Sequence, residues 1–164
     1  MKTLILIRHA KSSWEHNVID HERPLNNRGV SDSKLISNYF INKGLNPDKV
    51  MISDANRTKL TAAQFIKALK IDSQIIEYSH ELYDFSGYNL INTIKNCNYE
   101  VDRLMVFGHN HAITAFVNSY GDKYIENVPT CGVVIIEFEI KNWKDLKPGK
   151  TIDTLFPRDL KQNI

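Results

Sequence analysis

Three polar clusters, each directly after an apolar run, hold the residues best suited to chemistry. Arg8-His9-Ala10-Lys11-Ser12 follows the run 4–7, Ser53-Asp54-Ala55-Asn56-Arg57 follows 50–52, and Gly108-His109-Asn110-His111 follows 104–107. Brought to one edge, two histidines and two arginines make a strongly positive pocket suited to a phosphate dianion. A guanidinium grips phosphoryl oxygens through paired hydrogen bonds. A histidine can attack phosphorus and hold the phosphoryl group as phosphohistidine. Helices that start just after these clusters would add free N–H donors and a positive field.

The elements needed to bring the clusters together are readable from the pattern. The runs 4–7, 50–52 and 104–107 are continuous apolar stretches, as expected of strands buried on both faces. Helical stripes lie between them. Asn26 is expected to cap a helix that buries Leu35, Ile36, Tyr39 and Phe40, and that ends at Gly44 before Pro47. Ser53 or Asp54 is expected to cap a second helix with Ala62, Phe65, Ile66 and Leu69 on one face. Ile75-Ile76 reads as a weak strand, 87–96 as a short helix, and Ile113, Phe116, Val117 and Tyr120 as one face of another helix. The run 133–140 is the longest strand signal, and the Lys- and Asp-rich tail from Trp143 is expected to pack at the edge. Alternating strands and helices predict a three-layer α/β/α fold with a mostly parallel central sheet. Ligands of such sheets sit beyond the carboxyl ends of the strands. The polar stretch 10–24 reads as a long loop, a feature often tied to function.

Length and composition narrow the partners. The chain has 164 residues, which predicts a single domain over 1–164. Lys plus Arg is 21 and Asp plus Glu 19, a formal charge of +2, so neither nucleic acid nor an anionic membrane is the expected partner. Two cysteines, Cys97 and Cys131, are too few for a disulfide framework or a cysteine-rich zinc site. No apolar run approaches the ~20 residues of a membrane span. The start lacks the order of a signal peptide, so a cytoplasmic location is expected.

The segment Leu6-Ile7-Arg8-His9-Ala10-Lys11-Ser12-Ser13-Trp14 resembles the Arg-His-Gly/Ala signature of the histidine phosphatase superfamily, the phosphoglycerate mutase-like group. It is most similar to the small SixA-type phosphohistidine phosphatases. The likeness continues in Arg23-Pro24-Leu25-Asn26-Asn27-Arg28-Gly29 and in Ser53-Asp54-Ala55-Asn56-Arg57-Thr58-Lys59-Leu60-Thr61. Gly108-His109-Asn110 and the stretch Ile125-Glu126-Asn127-Val128-Pro129-Thr130-Cys131-Gly132-Val133 complete it, in order. The resemblance implies His9 as the phosphorylated nucleophile, with Arg8, Arg57 and His109 lining the phosphate pocket. It places Ser12 and Asn110 near the substrate, and it implies no metal or organic cofactor. Two positions depart from the family pattern: Asp54 and His111 stand where prolines are usual. Glu81 and Asp84 lie in the region of the family's general acid, though the match there is poor. A phosphohistidine has a labile P–N bond and needs less help from an acid, so the resemblance points to a phosphohistidine on a protein. The alternatives are a phosphatase of small phosphate esters and a non-catalytic module that binds phosphate or other oxyanions.

The remaining polar residues are expected to have structural or solvent-facing roles. His109-x-His111, with Asp20, His21 or Glu22, has the makings of a metal site, but two adjacent arginines oppose a cation. Lys11 and Arg28 are expected to solvate or brace the loop, and His16, His21 and His80 to lie on the surface. Cys97 and Cys131 read as small buried residues, and Trp14 as a residue that pins the loop by packing.

Overall fold

Leu4, Ile5, Leu6 and Ile7 have no solvent exposure, because β1 (Lys2–Arg8) runs through the middle of the molecule with side chains on both faces. In this computed structural model, which describes residues 1–162, β1 is joined by β2 (Lys49–Ser53), β3 (Ile76–Ser79), β4 (Arg103–Gly108), β5 (Val133–Phe138) and β6 (Lys150–Leu155). They form one sheet in the order β3-β2-β4-β1-β5-β6. The pairs β1–β4, β2–β4 and β2–β3 are parallel, whereas β5 runs against both β1 and β6. The sheet is therefore mostly parallel, with one reversed strand.

Two apolar layers cover its faces. Leu4, Leu6, Leu104 and Val106 pack with Leu90 and Ile94 of α3 (Tyr88–Lys95) and Ile113, Phe116 and Val117 of α4 (Ala112–Tyr120). Ile5, Ile7, Met105 and Phe107 pack with Ile36 and Phe40 of α1 (Asn27–Phe40) and Ala62 and Phe65 of α2 (Asn56–Leu69). This is the expected three-layer arrangement. No helix among the described residues is long and apolar enough to cross a membrane.

The local readings fare unevenly. Asn26 does cap α1, its side-chain oxygen accepting from Gly29 N–H at 2.8 Å. Tyr39, however, is exposed, and the buried face of α1 runs through the polar Asp32, Ser33 and Ser37 instead. Asp32 is tolerated there because Lys161 reaches it at 2.6 Å and Arg28 at 3.5 Å. Neither Ser53 nor Asp54 caps α2; Ala55 stands at that position with no side-chain bond, since both polar side chains are engaged elsewhere. Ile75 closes a short 3-10 helix and β3 begins only at Ile76. The tail goes beyond edge packing: β6 completes the sheet, Trp143 is fully buried, and α5 (Pro157–Gln162) follows.

Register is what assembles the site. Ile7 stands beside Phe107 and Val133, Arg8 beside Gly108, and Ile52 beside Phe107. The carboxyl ends of β1, β2 and β4 thus come level, and the three polar clusters leave the sheet together.

Candidate active site

Backbone bonds fix His9 where β1 ends. Its N–H donates to Gly108 O at 3.1 Å, its carbonyl accepts from Cys131 N–H at 2.9 Å, and Arg8 N–H donates to Gly132 O at 3.1 Å. Ala10 N–H donates to Thr61 Oγ1 at 2.9 Å, and Thr61 Oγ1 donates to Arg57 O at 2.8 Å. The threonine one turn beyond Arg57 therefore ties α2 to the residue after the histidine.

The His9 ring is oriented by one contact. Nδ1 lies 2.7 Å from Ala10 O. A carbonyl oxygen only accepts, so Nδ1 carries the proton and Nε2 keeps its lone pair. Burial, and then Arg57, Arg8 and Arg23, disfavour a second proton and lower the imidazole to about 3, against the opposing pull of the Ala10 carbonyl. His9 is therefore neutral at physiological pH.

His109 sits 5.2 Å away, ring centre to ring centre. Its Nε2 is 2.8 Å from Ser53 Oγ and 3.3 Å from Thr58 Oγ1. Ser53 Oγ accepts from Ala55 N–H and its own proton is available to Nε2. In that tautomer the remaining nitrogen, Nδ1, carries hydrogen, and this buried nitrogen has no protein partner. Burial, then the His9 and Arg57 neighbours, lower His109 to about 2. Arg8 Nη1 donates to Val128 O at 2.8 Å, while its buried Nε is likewise unpartnered. Buried donors without partners are rare and costly. An oxyanion beside His9 would satisfy both.

Arg57 is buried and held by Asp20. Nη1 donates to Asp20 O at 2.8 Å and Nη2 to Asp20 Oδ2 at 3.0 Å. Arg23, which sequence reasoning had placed only in the loop, joins it: Nη1 donates to Asp20 Oδ1 at 2.9 Å, Nε to Ser13 O at 3.1 Å and Nη2 to Ser12 Oγ. Tyr83 donates to Asp20 Oδ2 at 2.6 Å. Burial raises the Asp20 carboxyl, but the bonds from Tyr83, Arg23 and Arg57 outweigh it and hold the group well below the usual carboxylate range. The signal for Arg23 was its place in the Arg23-Pro24-Leu25 segment. Asp20 and Tyr83 carried no signal, for nothing in their spacing links the loop to the strand ends. The rim is aromatic: Phe85 lies 5.2 Å from His109, ring to ring, and is half exposed.

The other candidate residues have protein partners of their own or lie on the surface. Ser12 is bonded to Arg23 and paired with Leu25, so it orients an arginine. Asn110 has both ends of its carboxamide engaged: Oδ1 accepts from Thr114 N–H and Oγ1, and Nδ2 donates to Asn127 Oδ1. It braces the α4 loop. Asp84 accepts from the N–H groups of Ser86, Gly87 and Leu90 and from Ser86 Oγ. Burial raises it, but these bonds prevail and lower it, and they tie the carboxylate to the start of α3. Glu81 is exposed on the short helix after β3. His111 is also exposed and does not join His109. Trp14 is 76% exposed; it pins nothing inside but forms a platform for Arg23, whose guanidinium lies 3.2 Å above the ring.

The family model of the histidine phosphatase superfamily (branch 1) matches residues 4–86, a stretch that carries Arg8, His9 and Arg57. The chain belongs to that superfamily. An uncharacterized protein of Mycobacterium tuberculosis is 27% identical over 153 residues, covering 87% of this chain and 93% of that protein. Among solved structures, one assigned as the phosphohistidine phosphatase SixA of Agrobacterium tumefaciens superposes with a TM-score of 0.79 at 24% identity, over 94% of this chain and 97% of that one. The protein histidine phosphatase SixA in complex with tungstate gives 0.78 at 18% identity, over 96% and 99%. The fold is of the SixA type.

Proposed function

We propose that this chain is a metal-independent phosphatase that removes phosphate from a protein phosphohistidine through a phospho-His9 intermediate. The observation that carries the reading is the His9 ring. It is neutral, held through Nδ1–H on Ala10 O, and its ring lies 5.2 Å from that of His109, whose buried Nδ1, like the Nε of the preceding Arg8, has no protein partner.

In the first step the Nε2 lone pair attacks phosphorus in line. The bond from phosphorus to the substrate nitrogen breaks, its electron pair stays with the leaving imidazole, and water protonates that nitrogen. In the second step water attacks phospho-His9. The P–N bond breaks, the pair returns to Nε2, and phosphate departs with the proton balance made by solvent. Arg8, Arg57 and His109 stabilise charge on the equatorial oxygens, where most of the catalysis of such a transfer arises. Arg57 must exchange its Asp20 bonds for phosphoryl oxygens to do so.

The choice of substrate is supported by the carboxylates. Asp84 is tied into the start of α3, Asp20 is kept ionised by its arginines and Tyr83, and Glu81 is exposed. None is a ready acid for a poor alkoxide leaving group, whereas a phosphohistidine, with its labile P–N bond, needs less help from a protein acid. The rim aromatic Phe85 offers a contact for a protein loop. SixA is described as a protein histidine phosphatase, and its tungstate complex is consistent with an oxyanion pocket in this fold.

The test is a panel of a phosphohistidine protein, an aryl phosphate and sugar phosphates, with wild type and His9→Ala. Preferred turnover of the phosphohistidine protein, with acid-labile phosphate trapped on wild type alone, is expected. Preferred turnover of sugar phosphates would assign the chain to small esters. Binding without turnover would make it a phosphate-binding module.

A further inference from the structure

We propose that His21, Asp54 and His80 form a site for a divalent transition metal of the zinc class, which clips the 10–24 loop to the edge of the sheet. One donor atom from each of the three residues lies within 4.8 Å of the others. His21 Nε2 is 2.7 Å from Asp54 Oδ1, and His80 Nδ1 is 3.0 Å from Asp54 Oδ2. A tetrahedral zinc ion with bonds of about 2.0–2.1 Å sets its donors about 3.3 Å apart. The two histidine–carboxylate spacings, 2.7 and 3.0 Å, fall a few tenths of an ångström short of that value, the third is no more than 4.8 Å, and His80, largely exposed, is free to adjust.

The donor chemistry selects the ion. Two imidazoles and one carboxylate suit zinc and its neighbours, while calcium and magnesium ask for oxygen ligands. Three protein ligands leave a fourth position for water. The charge objection raised by the neighbouring arginine is met by pairing, since Arg57 is already bonded to the Asp20 carboxylate and carbonyl. Asp54 stands where the family pattern has proline, and it is the residue both histidines converge on.

The three ligands come from three separate segments. His21 lies in the short helix Asp20–Glu22, Asp54 just after β2, and His80 just after β3. An ion shared among them cross-links the loop that presents Asp20 and Arg23. It takes no part in phosphoryl transfer, so the proposal stands or falls independently of the phosphatase reading.

The experiment uses the full chain, stripped with chelator, titrated with Zn²⁺ by calorimetry and with Co²⁺ by visible absorption. One zinc per chain is expected, with a Tm that rises in excess zinc and a cobalt band showing mixed nitrogen and oxygen ligation. His21→Gln, Asp54→Ala and His80→Gln should each weaken binding at least about tenfold, while His111→Gln binds as wild type. His80 is exposed, so its variant tests the site without risk to folding. Wild-type binding by both His21→Gln and His80→Gln overturns the site. So does the absence of stoichiometric binding at about 0.1 mM zinc, a Kd too weak for a built site. Loss of zinc binding in His9→Ala alone would move the ion to the phosphate pocket and equally overturn it.

Discussion

On the proposed function two anions compete for Arg57: the carboxylate of Asp20, bonded to it at 3.0 Å, and the phosphoryl group of a substrate. Asp20 also holds Arg23, so it both organises the arginines and occupies them. Asp20→Asn keeps the side chain's shape and removes its charge. Inorganic phosphate or vanadate is therefore expected to inhibit that variant more strongly, by several-fold up to about tenfold, a gain of roughly 1.4 kcal/mol at the upper end. Inhibition constants measured in chelator check this, and weaker binding would show that organisation outweighs competition. Removal of Arg57 itself has the opposite sign. Arg57→Ala is expected to lose about 10²–10³ in turnover, the usual cost of one electrostatic donor, and Arg57→Lys to recover only part, because an ammonium cannot bridge two oxygens. His9→Ala should abolish turnover and leave the Tm close to wild type, since His9 lies at the end of a strand whose core contacts come from Leu4, Ile5, Leu6 and Ile7. Thermal melts alongside single-turnover assays separate the two effects. That His9, Arg8, Arg57 and His109 converge was legible because each follows a buried run within one to five residues. Asp20 was not, and Arg23 stood out only through the Arg23-Pro24-Leu25 segment, because a loop has no period that says which of its polar residues turn inward.

At the scale of elements, the site depends on how α1 meets the loop it covers. Asn26 N–H donates to Lys11 O at 3.0 Å, and a Cβ placed on Gly29 would fall 2.1 Å from that same oxygen. Only glycine lets the first turn of α1 rest on the backbone two residues past His9. Gly29→Ala must push the helix or the loop away, at a cost of about 1–3 kcal/mol, as for other overpacked positions. The outcome expected is a lower denaturation midpoint together with a larger loss in kcat than in ligand affinity, because the loop that moves leads straight from the nucleophile. Unchanged urea denaturation would show that the backbone yields freely at Lys11. The strands β1, β2 and β4 and the helix α4 were legible as continuous apolar runs and a helical stripe. The ends of elements were less so. Apolar pattern placed Tyr39 inside, but α1 is rotated so that Asp32, Ser33 and Ser37 face inward, paired or hydrogen-bonded rather than apolar. β6 was hidden because its residues alternate weakly and lie on an edge, where one face need not be apolar.

For the whole molecule, two buried neutral imidazoles couple folding to pH. An unfolded histidine titrates near its ordinary 6.5, whereas native His9 is lowered to about 3 and His109 to about 2. Between those values the unfolded chain binds protons that the native one refuses. Stability contributed by the neutral rings is thus fully present above pH 6.5 and declines as the pH falls, by up to about 1.4 kcal/mol per pH unit for each ring. Over the interval from pH 6.5 to 4.5, His9 alone accounts for a loss of about 2 kcal/mol. His9→Gln, which cannot take up the proton, is expected to become more stable than wild type by that margin at the acid end, relative to their difference at pH 6.5. Urea titrations of both proteins at the two pH values, in phosphate-free buffer, measure it. The same lowered pKa makes a kinetic demand: kcat/KM on an aryl phosphate, corrected for the ionisation of the substrate, should show no inflection near 6.5 from the nucleophile. If wild type and His9→Gln lose stability in parallel on acidification, His9 is protonated in the native pocket, and both the neutral nucleophile and the burial and positive field argued to keep it neutral are wrong.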